Sequence, residues 1–364
     1  MERTSMWPDR RIIDLFGIEM PIIQAPMAGP CYADMAVAVS EAGGLGSLPT
    51  ATFTPEQAQA ELQLIRQQTA KPINLNFFCH QAPVIDPARE ANWRARLAPY
   101  YAEFGIDPTA PIPTSNRLPF DDAMCRLVEE FKPRVVSFHF GLPEPALLKR
   151  VRATGAKIIS SATSAEEADW LERHGADAII AQGAEAGGHR GMFLGGDPLD
   201  LVATQAGTMA LVPQVVDAVK VPVIAAGGIG DARGIHAAFA LGAAAVQLGT
   251  AYLFSSEARI SAPHRVALQQ AKDNQTALTN IFTGRPARGI INRIMREIGP
   301  ITRDAPAFPT AGGALAPVKA KAEAQGSGDF GSLWSGQAAS LGRDMGAGNL
   351  TRLLAAETLE RLKR

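Results

Sequence analysis

The chain has 364 residues, which is long enough for one large domain or for a domain that carries an insertion. Apolar residues make up 46% of it and charged residues 20%, an ordinary composition for a water-soluble globular protein. The formal net charge of −1 excludes a global field that would draw the chain to nucleic acid or to an anionic membrane.

Eight short apolar segments predict β-strands, in chain order at 21–26, 44–50, 72–78, 134–140, 157–163, 178–183, 222–228 and 245–250. They are continuously apolar rather than alternating, as is typical of parallel strands that are buried on both faces. Helical patterns lie between them, and one of these begins after Thr54 with Pro55 at its first position. Eight strand–helix alternations favour an α/β fold of the (β/α)8, or TIM, barrel type over an open doubly wound sheet.

Two segments interrupt this alternation. Residues 80–120 are rich in proline and aromatic side chains, and they predict an extra helix with loops inserted after the third strand. Residues 257–345 follow the eighth strand and combine helical pieces with a connector rich in Pro, Ala and Gly at 304–318. We therefore predict a barrel domain of residues 11–256 and 346–364, with residues 257–345 as a mainly helical cap over one barrel mouth.

The cysteines and the apolar runs indicate the cellular compartment of the protein. Cys31, Cys79 and Cys125 are widely spaced and odd in number, which argues against a disulfide framework and against a zinc site. Residues 1–16 lack the apolar core of a signal peptide, and no apolar run reaches the about 18 residues of a membrane span. We expect a cytoplasmic protein that binds no metal, nucleic acid or membrane.

Polar residues occur at the C-terminal ends of several predicted strands, where barrel enzymes carry their active sites. One such residue is compatible with a structural role, because buried amide side chains often pair with backbone groups. A cluster on one rim indicates a ligand site instead. The residues at these ends are Gln24–Met27, Asn76, His139, Gln182 with the loop that leads to His189, Gly227–Gly228 and Gln247–Thr250.

Glycines after the last two strands predict a phosphate site. Gly227 and Gly228 follow the seventh strand, and Gly249 and Thr250 follow the eighth. Loops at these two places in a barrel commonly hold a phosphate on backbone N–H groups, and glycine allows the backbone to approach it closely. The alternative is that these glycines only form tight turns.

The histidines differ in their sequence contexts. His189 stands in the loop AQGAEAGGHRG, whose glycines offer no packing reason for an imidazole, and we predict a functional role for it. For His139 two roles remain: a functional group of the pocket, or a structural residue that hydrogen-bonds within the protein. His174 and His264 are expected at the surface, while Glu185 and Arg190 in the loop receive no catalytic role.

Several segments together resemble the FMN-dependent nitronate monooxygenases, formerly called 2-nitropropane dioxygenases. They are PIIQAPMAG, AGGLGS, NLNFFCH, SFHFG, AQGAEAGGHRG, VIAAGGIGDARGIHAAFALGAAAVQLGTAYLF and TGRPARGIINR, with a return at LWSGQAA. The resemblance implies that Ala25, Pro26 and Met27 lie against the flavin ring, and that Asn76 and Gln182 hydrogen-bond the flavin. It implies a phosphate cradle made of Gly187, Gly188, Gly227, Gly228, Gln247, Leu248, Gly249 and Thr250.

The resemblance also implies a reaction. Alkyl nitronates, and possible nitroalkane substrates, would be oxidised with FMN and O2 through a flavin semiquinone to a carbonyl compound and nitrite. His189 would face the substrate, either as a donor to the nitronate oxygens or as the base that takes the α-proton of a nitroalkane, and His139 would be a second catalytic group. Related FMN barrels reduce quinones or enoyl groups with NAD(P)H, and this activity is the alternative prediction.

The chain departs from that family in the connector after PARG. Bacterial members carry tyrosines and a lysine there, whereas this chain has Phe308 and no tyrosine beyond Tyr252. The flavin part of the site is therefore expected to be intact and the substrate part altered. A bulkier or more apolar substrate than propionate 3-nitronate is the resulting expectation.

Overall fold

A computed structural model of the chain describes residues 7–115 and 117–364. The strands are β1 (Ile22–Gln24), β2 (Gly46–Pro49), β3 (Ile73–Phe78), β4 (Val135–His139), β5 (Lys157–Ala162), β6 (Ala178–Gln182), β7 (Gly188–His189), β8 (Val223–Ala226), β9 (Ala245–Leu248), β10 (Thr276–Thr279) and β11 (Ala287–Ile290). Eight of them form one parallel sheet in the order β1-β9-β8-β6-β5-β4-β3-β2. A parallel bridge between Ile23 and Leu45 joins the two edges, so the sheet closes into the predicted barrel.

The α-helices surround this sheet. They are α1 (Arg11–Phe16), α2 (Ala33–Glu41), α3 (Pro55–Gln68), α4 (Pro87–Glu103), α5 (Asp122–Phe131), α6 (Pro145–Ala153), α7 (Ala165–Arg173), α8 (Thr208–Ala218), α9 (Ala232–Ala240), α10 (Ala262–Gln270), α11 (Arg293–Ile298), α12 (Gly312–Ala324) and α13 (Ala347–Leu362). The predicted start of α3 is confirmed: Thr54 accepts a hydrogen bond from Gln57 N, and the Gln57 side chain accepts one from Thr54 N. No helix among the described residues is both long and apolar enough to cross a membrane.

The apolar runs form strands because both of their faces are buried. Along β6, Ile179 packs in the cluster between the sheet and the helices, whereas its neighbour Ile180 belongs to a separate cluster with Ile23 and Ile224. That second cluster also contains Phe16, so α1 packs against the barrel interior. Alternation of side chains across a strand explains why consecutive positions such as Ile179 and Ile180 are both apolar.

The eight barrel strands confirm the predicted ones in number and order, and all but the third of them end one or two residues earlier than predicted. The predicted seventh strand ran to residue 228, whereas β8 ends at Ala226. Gly227 and Gly228 have φ angles of 108° and 70°, and such positive values cannot continue a strand. The glycines therefore turn the chain at the carboxyl end of the sheet.

Residues 80–120 and 257–345 pack together beside the barrel mouth. Trp93 of α4 is buried with Leu315 of α12 in one apolar cluster, and its indole Nε1 donates to Ala311 O at 2.9 Å. The cap region contains α10, β10, β11, α11 and α12, and the chain then returns to the barrel through α13, which packs on α2 and α9. The division of the chain into a barrel domain and a cap stays a prediction.

A small antiparallel sheet links the cap region to the loop after β6. Strand β11 pairs with β10 on one side and with β7 on the other, where Ala287 is opposite His189. The backbone of Gly188 and His189 is therefore held as a short strand. This pairing fixes the backbone of His189 against the hairpin formed by β10 and β11.

Candidate active site

A cleft opens at the carboxyl ends of the barrel strands and encloses about 1300 Å³ of space between atoms, part of it open to solvent. The predicted site residues that line it are Ala25, Pro26, Met27, Asn76, His139, Gln182, Gly187, Gly188, His189, Gly227, Gly228, Gln247, Gly249 and Thr250. Leu248 is the exception. Its side chain is buried in the apolar core between sheet and helices, and only its carbonyl reaches the rim, where it accepts from Ala25 N at 2.8 Å.

The first part of the cleft, which we call the glycine end, is formed by Gly187, Gly227, Gly228, Gly249 and Thr250. A Cβ on Gly227 would lie 3.0 Å from both Ala186 N and Gly183 O, and a Cβ on Gly187 would lie 2.6 Å from Gly336 N. At Gly187 and Gly227, side chains are excluded by the close approach of neighbouring backbone. The result is a wall of exposed peptide groups, which is the surface that binds phosphate in many barrels.

One polar atom in the cleft lacks a partner. Gln247 lines the cleft, and its Oε1 is buried without a hydrogen bond among the described residues. A buried amide oxygen without a donor costs free energy unless a ligand supplies one. This atom is therefore placed to accept a hydrogen bond from a bound group.

The second part of the cleft, which we call the histidine end, is formed by Phe78, Arg117, His139 and His189. Aromatic rings surround the imidazole of His189: the centroid distances are 5.9 Å to Phe78, 5.3 Å to Phe308 and 5.7 Å to Trp334. Burial, followed by the charges of Arg117 and other nearby groups, holds the pKa of His189 well below its ordinary value. His189 is therefore neutral at pH 7.

His139 uses both of its ring nitrogens within the protein. Nδ1 lies 2.5 Å from Ser161 Oγ, and Nε2 lies 3.2 Å from the carbonyl oxygen of His189. Because a carbonyl only accepts, Nε2 carries the proton and Nδ1 accepts from the Ser161 hydroxyl. Burial, with a smaller effect of Arg285, lowers the pKa of His139 to about 3. The arrangement makes His139 a support for the His189 loop.

Gln182 and Arg190 form hydrogen bonds with the backbone of the His189 loop. The Gln182 side chain donates to His189 O at 2.9 Å and accepts from Gly191 N at 2.8 Å. The fully buried Arg190 donates to Gln182 O and Gly183 O, both at 2.6 Å. Among the described residues, Asn76 makes no contact of this kind with the loop; it donates to Ser137 Oγ at 2.9 Å, from β3 to β4. The contacts of Gln182 and Arg190 give the loop a defined shape.

Several residues of the site were not identified from the sequence. Arg117 and Phe78 line the histidine end, and Trp334, Ser335 and Gly336 line the cleft from the segment that precedes α13. The motif LWSGQAA was the available signal for the last three. Glu185 lines the cleft as well, but its carboxylate accepts from Thr208 N at 2.8 Å and Thr208 Oγ1 at 2.9 Å, at the start of α8.

The prediction that His264 lies at the surface is wrong. His264 is buried in α10, and its Nε2 lies 3.0 Å from Trp334 O. Burial lowers its pKa to about 4, so it is neutral. Its polar sequence context was misleading because the cap segment around Trp334 folds over that face of α10, a contact between residues 70 positions apart.

The barrel, with its ligand cleft at the carboxyl ends of the strands, places the protein among the barrel enzymes. A model of the nitronate monooxygenase family matches residues 9–357. The chain is 42% identical over 351 residues to a nitronate monooxygenase of Pseudomonas aeruginosa, covering 95% of this chain and 98% of that one. It is 40% identical over 356 residues to one of Paraburkholderia phytofirmans, covering 97% and 96%. The chain therefore belongs to the nitronate monooxygenase family and is an oxidoreductase.

Solved structures with the same architecture agree with this assignment. A nitroalkane oxidase from Streptomyces ansochromogenes superposes with a TM-score of 0.87 at 37% identity, covering 96% of this chain and 98% of that chain. FabK from Thermotoga maritima superposes with a TM-score of 0.70 at 29% identity, covering 97% of each chain. The resemblance read from the motifs is thus confirmed at the level of family and fold.

Proposed function

We propose that this enzyme oxidises alkyl nitronates, and the nitroalkanes from which they form, with FMN and O2 to a carbonyl compound and nitrite. The observation that carries the proposal is the joining, in one cleft, of a glycine end made mainly of backbone and a histidine end with a neutral imidazole. The names of the related nitronate monooxygenases and of the nitroalkane oxidase support the same reaction class.

The residues of the cleft fit FMN. The glycine end offers peptide groups to a phosphate, and Gln247 Oε1 lacks the donor that a flavin N–H would provide. Ala25, Pro26 and Met27 would pack against the ring, and Gly188 would allow the loop to pass close to it. Asn76 and Gln182 would orient neighbouring groups, and Leu248 would contribute its backbone alone. The chemistry that FMN supplies when bound is electron transfer from the nitronate to O2.

The chain's own contribution is at the histidine end. A nitronate is an anion, and the half-buried Arg117 gives this end a positive charge while His189 stays neutral. A neutral imidazole can take the α-proton of a nitroalkane, whereas an imidazolium cannot. All four tyrosines are among the described residues, and none lines the cleft, so apolar rings dominate this end. We therefore propose substrates with an apolar substituent beside the nitro group.

Anaerobic mixing of the FMN-loaded protein tests the proposal. We expect a nitronate such as that of nitropropane to change the flavin absorbance without NADH, and admission of air to release nitrite. Reduction by NADH together with no response to nitronates would contradict the proposal. That result would instead support the alternative of an NAD(P)H-dependent quinone or enoyl reductase.

A further inference from the structure

Thr283 contacts the ring of His189 from the cap side. Its Oγ1 lies 3.0 Å from His189 Nε2, and the threonine is 3% exposed. Thr283 stands in the connection between β10 and β11, and β11 also pairs with the backbone of His189. A single hairpin therefore holds the main chain of His189 and one nitrogen of its ring.

The second contact of Thr283 offers its hydroxyl proton an acceptor other than the imidazole of His189. Oγ1 lies 3.4 Å from the carbonyl oxygen of Arg285, which can only accept a hydrogen bond. With the hydroxyl proton directed to that carbonyl, a lone pair of Oγ1 is left to accept from His189 Nε2. The neutral imidazole then carries its one proton on Nε2, and Nδ1 keeps a free lone pair.

The free nitrogen is accessible to a ligand. Nδ1 of His189 has no hydrogen-bond partner among the described residues. It is not among the side-chain polar atoms that are buried without a partner, so it is reachable from the cleft. His189 itself lines the cleft. His139 cannot replace it, because Ser161 and the His189 carbonyl occupy both of its nitrogens. Of the two cleft histidines, only His189 offers a lone pair.

We propose that Thr283 is a positioning residue that fixes His189 in the Nε2–H tautomer, so that Nδ1 accepts the α-proton of a nitroalkane. This inference rests on the proposed function. In the step, the C–H bond breaks, its electron pair becomes part of the C=N bond of the nitronate, and the proton forms an N–H bond at Nδ1. The Nε2–H bond to Thr283 persists throughout and stabilises the imidazolium that forms.

Two substitutions at Thr283 separate this role from packing. Thr283→Val keeps the shape and removes the hydroxyl, whereas Thr283→Ser keeps the hydroxyl. We expect Thr283→Val to lower kcat/KM for a neutral nitroalkane about tenfold or more, because general-base catalysis contributes about 10²–10⁴. Turnover of the preformed nitronate needs no base and should stay within about twofold. Thr283→Ser should retain both activities.

Nitrogen NMR of the holoenzyme labelled with ¹⁵N-histidine gives a readout other than activity. The chain has six histidines, and the signals missing from His189→Asn identify those of His189. We expect a protonated Nε2 and an unprotonated Nδ1 in the wild type, and a mixture of tautomers in Thr283→Val. A wild-type proton on Nδ1 would overturn the inference, and so would an equal loss of both activities in Thr283→Val that Thr283→Ser fails to prevent.

The experiments distinguish a failure of the proposed function from a failure of the role of Thr283. A wild-type holoenzyme that releases no nitrite from a nitronate in air contradicts the proposed function, and the inference about proton transfer then fails with it. An active wild type with the wrong tautomer contradicts the role of Thr283 alone. Thermal unfolding of both Thr283 variants shows whether each is folded when it is assayed.

Discussion

The two ends of the cleft are built in different ways. The glycine end is made mainly by backbone at the ends of neighbouring barrel strands, and four of its five residues are glycines. The histidine end is made by side chains from distant parts of the sequence, with Phe308, Thr283 and Trp334 of the cap region enclosing His189. A binding surface of peptide groups tolerates little change, whereas an end built of side chains can be altered for a new substrate.

The largest effect is expected from His189→Asn, which removes the free lone pair at the histidine end. Turnover of neutral nitroalkanes should fall about 10²- to 10⁴-fold, while FMN affinity stays within about threefold because the glycine end is untouched. Steady-state nitrite release and FMN titration measure the two properties. His174→Asn, at an exposed histidine that does not line the cleft, is the matched control. Unchanged activity on nitroalkanes in His189→Asn would show that another group is the base.

A substitution at the glycine end should instead weaken FMN binding. Gly227→Ala adds a Cβ 3.0 Å from three atoms at a φ of 108°, and strain of about 1–3 kcal/mol would weaken FMN binding about 10- to 100-fold. Gly155→Ala is the control, because Gly155 also has a positive φ of 86° but no atom within 4 Å of the added Cβ. Fluorescence titration with FMN measures the difference. Equal affinities in the two variants would mean that the glycine end does not hold the cofactor.

The same contrast explains what could be predicted from the sequence. The eight strands and the glycine end follow from local patterns, because apolar runs and Gly–Gly pairs carry the information within a few residues. Phe308, Thr283 and Trp334 reach His189 over 94 positions or more of chain, and no local pattern encodes such contacts. His264 was predicted wrongly for the same reason, since the segment that buries it lies 70 positions further along.

Arg117 tests the charge of the histidine end, with a smaller effect. Arg117→Met should raise KM for an anionic nitronate about fivefold, as expected for the loss of an ion pair of about 1 kcal/mol, and leave KM for a neutral nitroalkane unchanged. The two substrates are compared in the same variant at low ionic strength. Arg117→Lys keeps the charge and serves as the control. An equal rise of KM for both substrates would indicate a packing role for Arg117.

Acid should destabilise the folded protein through its buried histidines. Burial lowers the pKa of His80, His139 and His264 to about 4, about 3 and about 4, and that of His189 also falls. These imidazoles stay neutral in the folded protein as the pH falls toward their lowered pKa values. In the unfolded chain their pKa is about 6.5, so they take up protons when the pH falls below that value. The unfolded state therefore binds more protons between these values, so the free energy of unfolding decreases as the pH falls below 6.5.

His264→Gln isolates one such group in the cap. The variant should lose the contribution of one proton, about 1.4 kcal/mol per pH unit, from the slope of unfolding free energy against pH between about 6 and 4.5. Denaturant unfolding at a series of pH values measures the slope, and His174→Gln, at an exposed histidine, is the matched control. Identical slopes in both variants would show that the pKa of His264 is the same in the folded and the unfolded protein. Burial of His264 against the Trp334 carbonyl would then not favour the neutral imidazole.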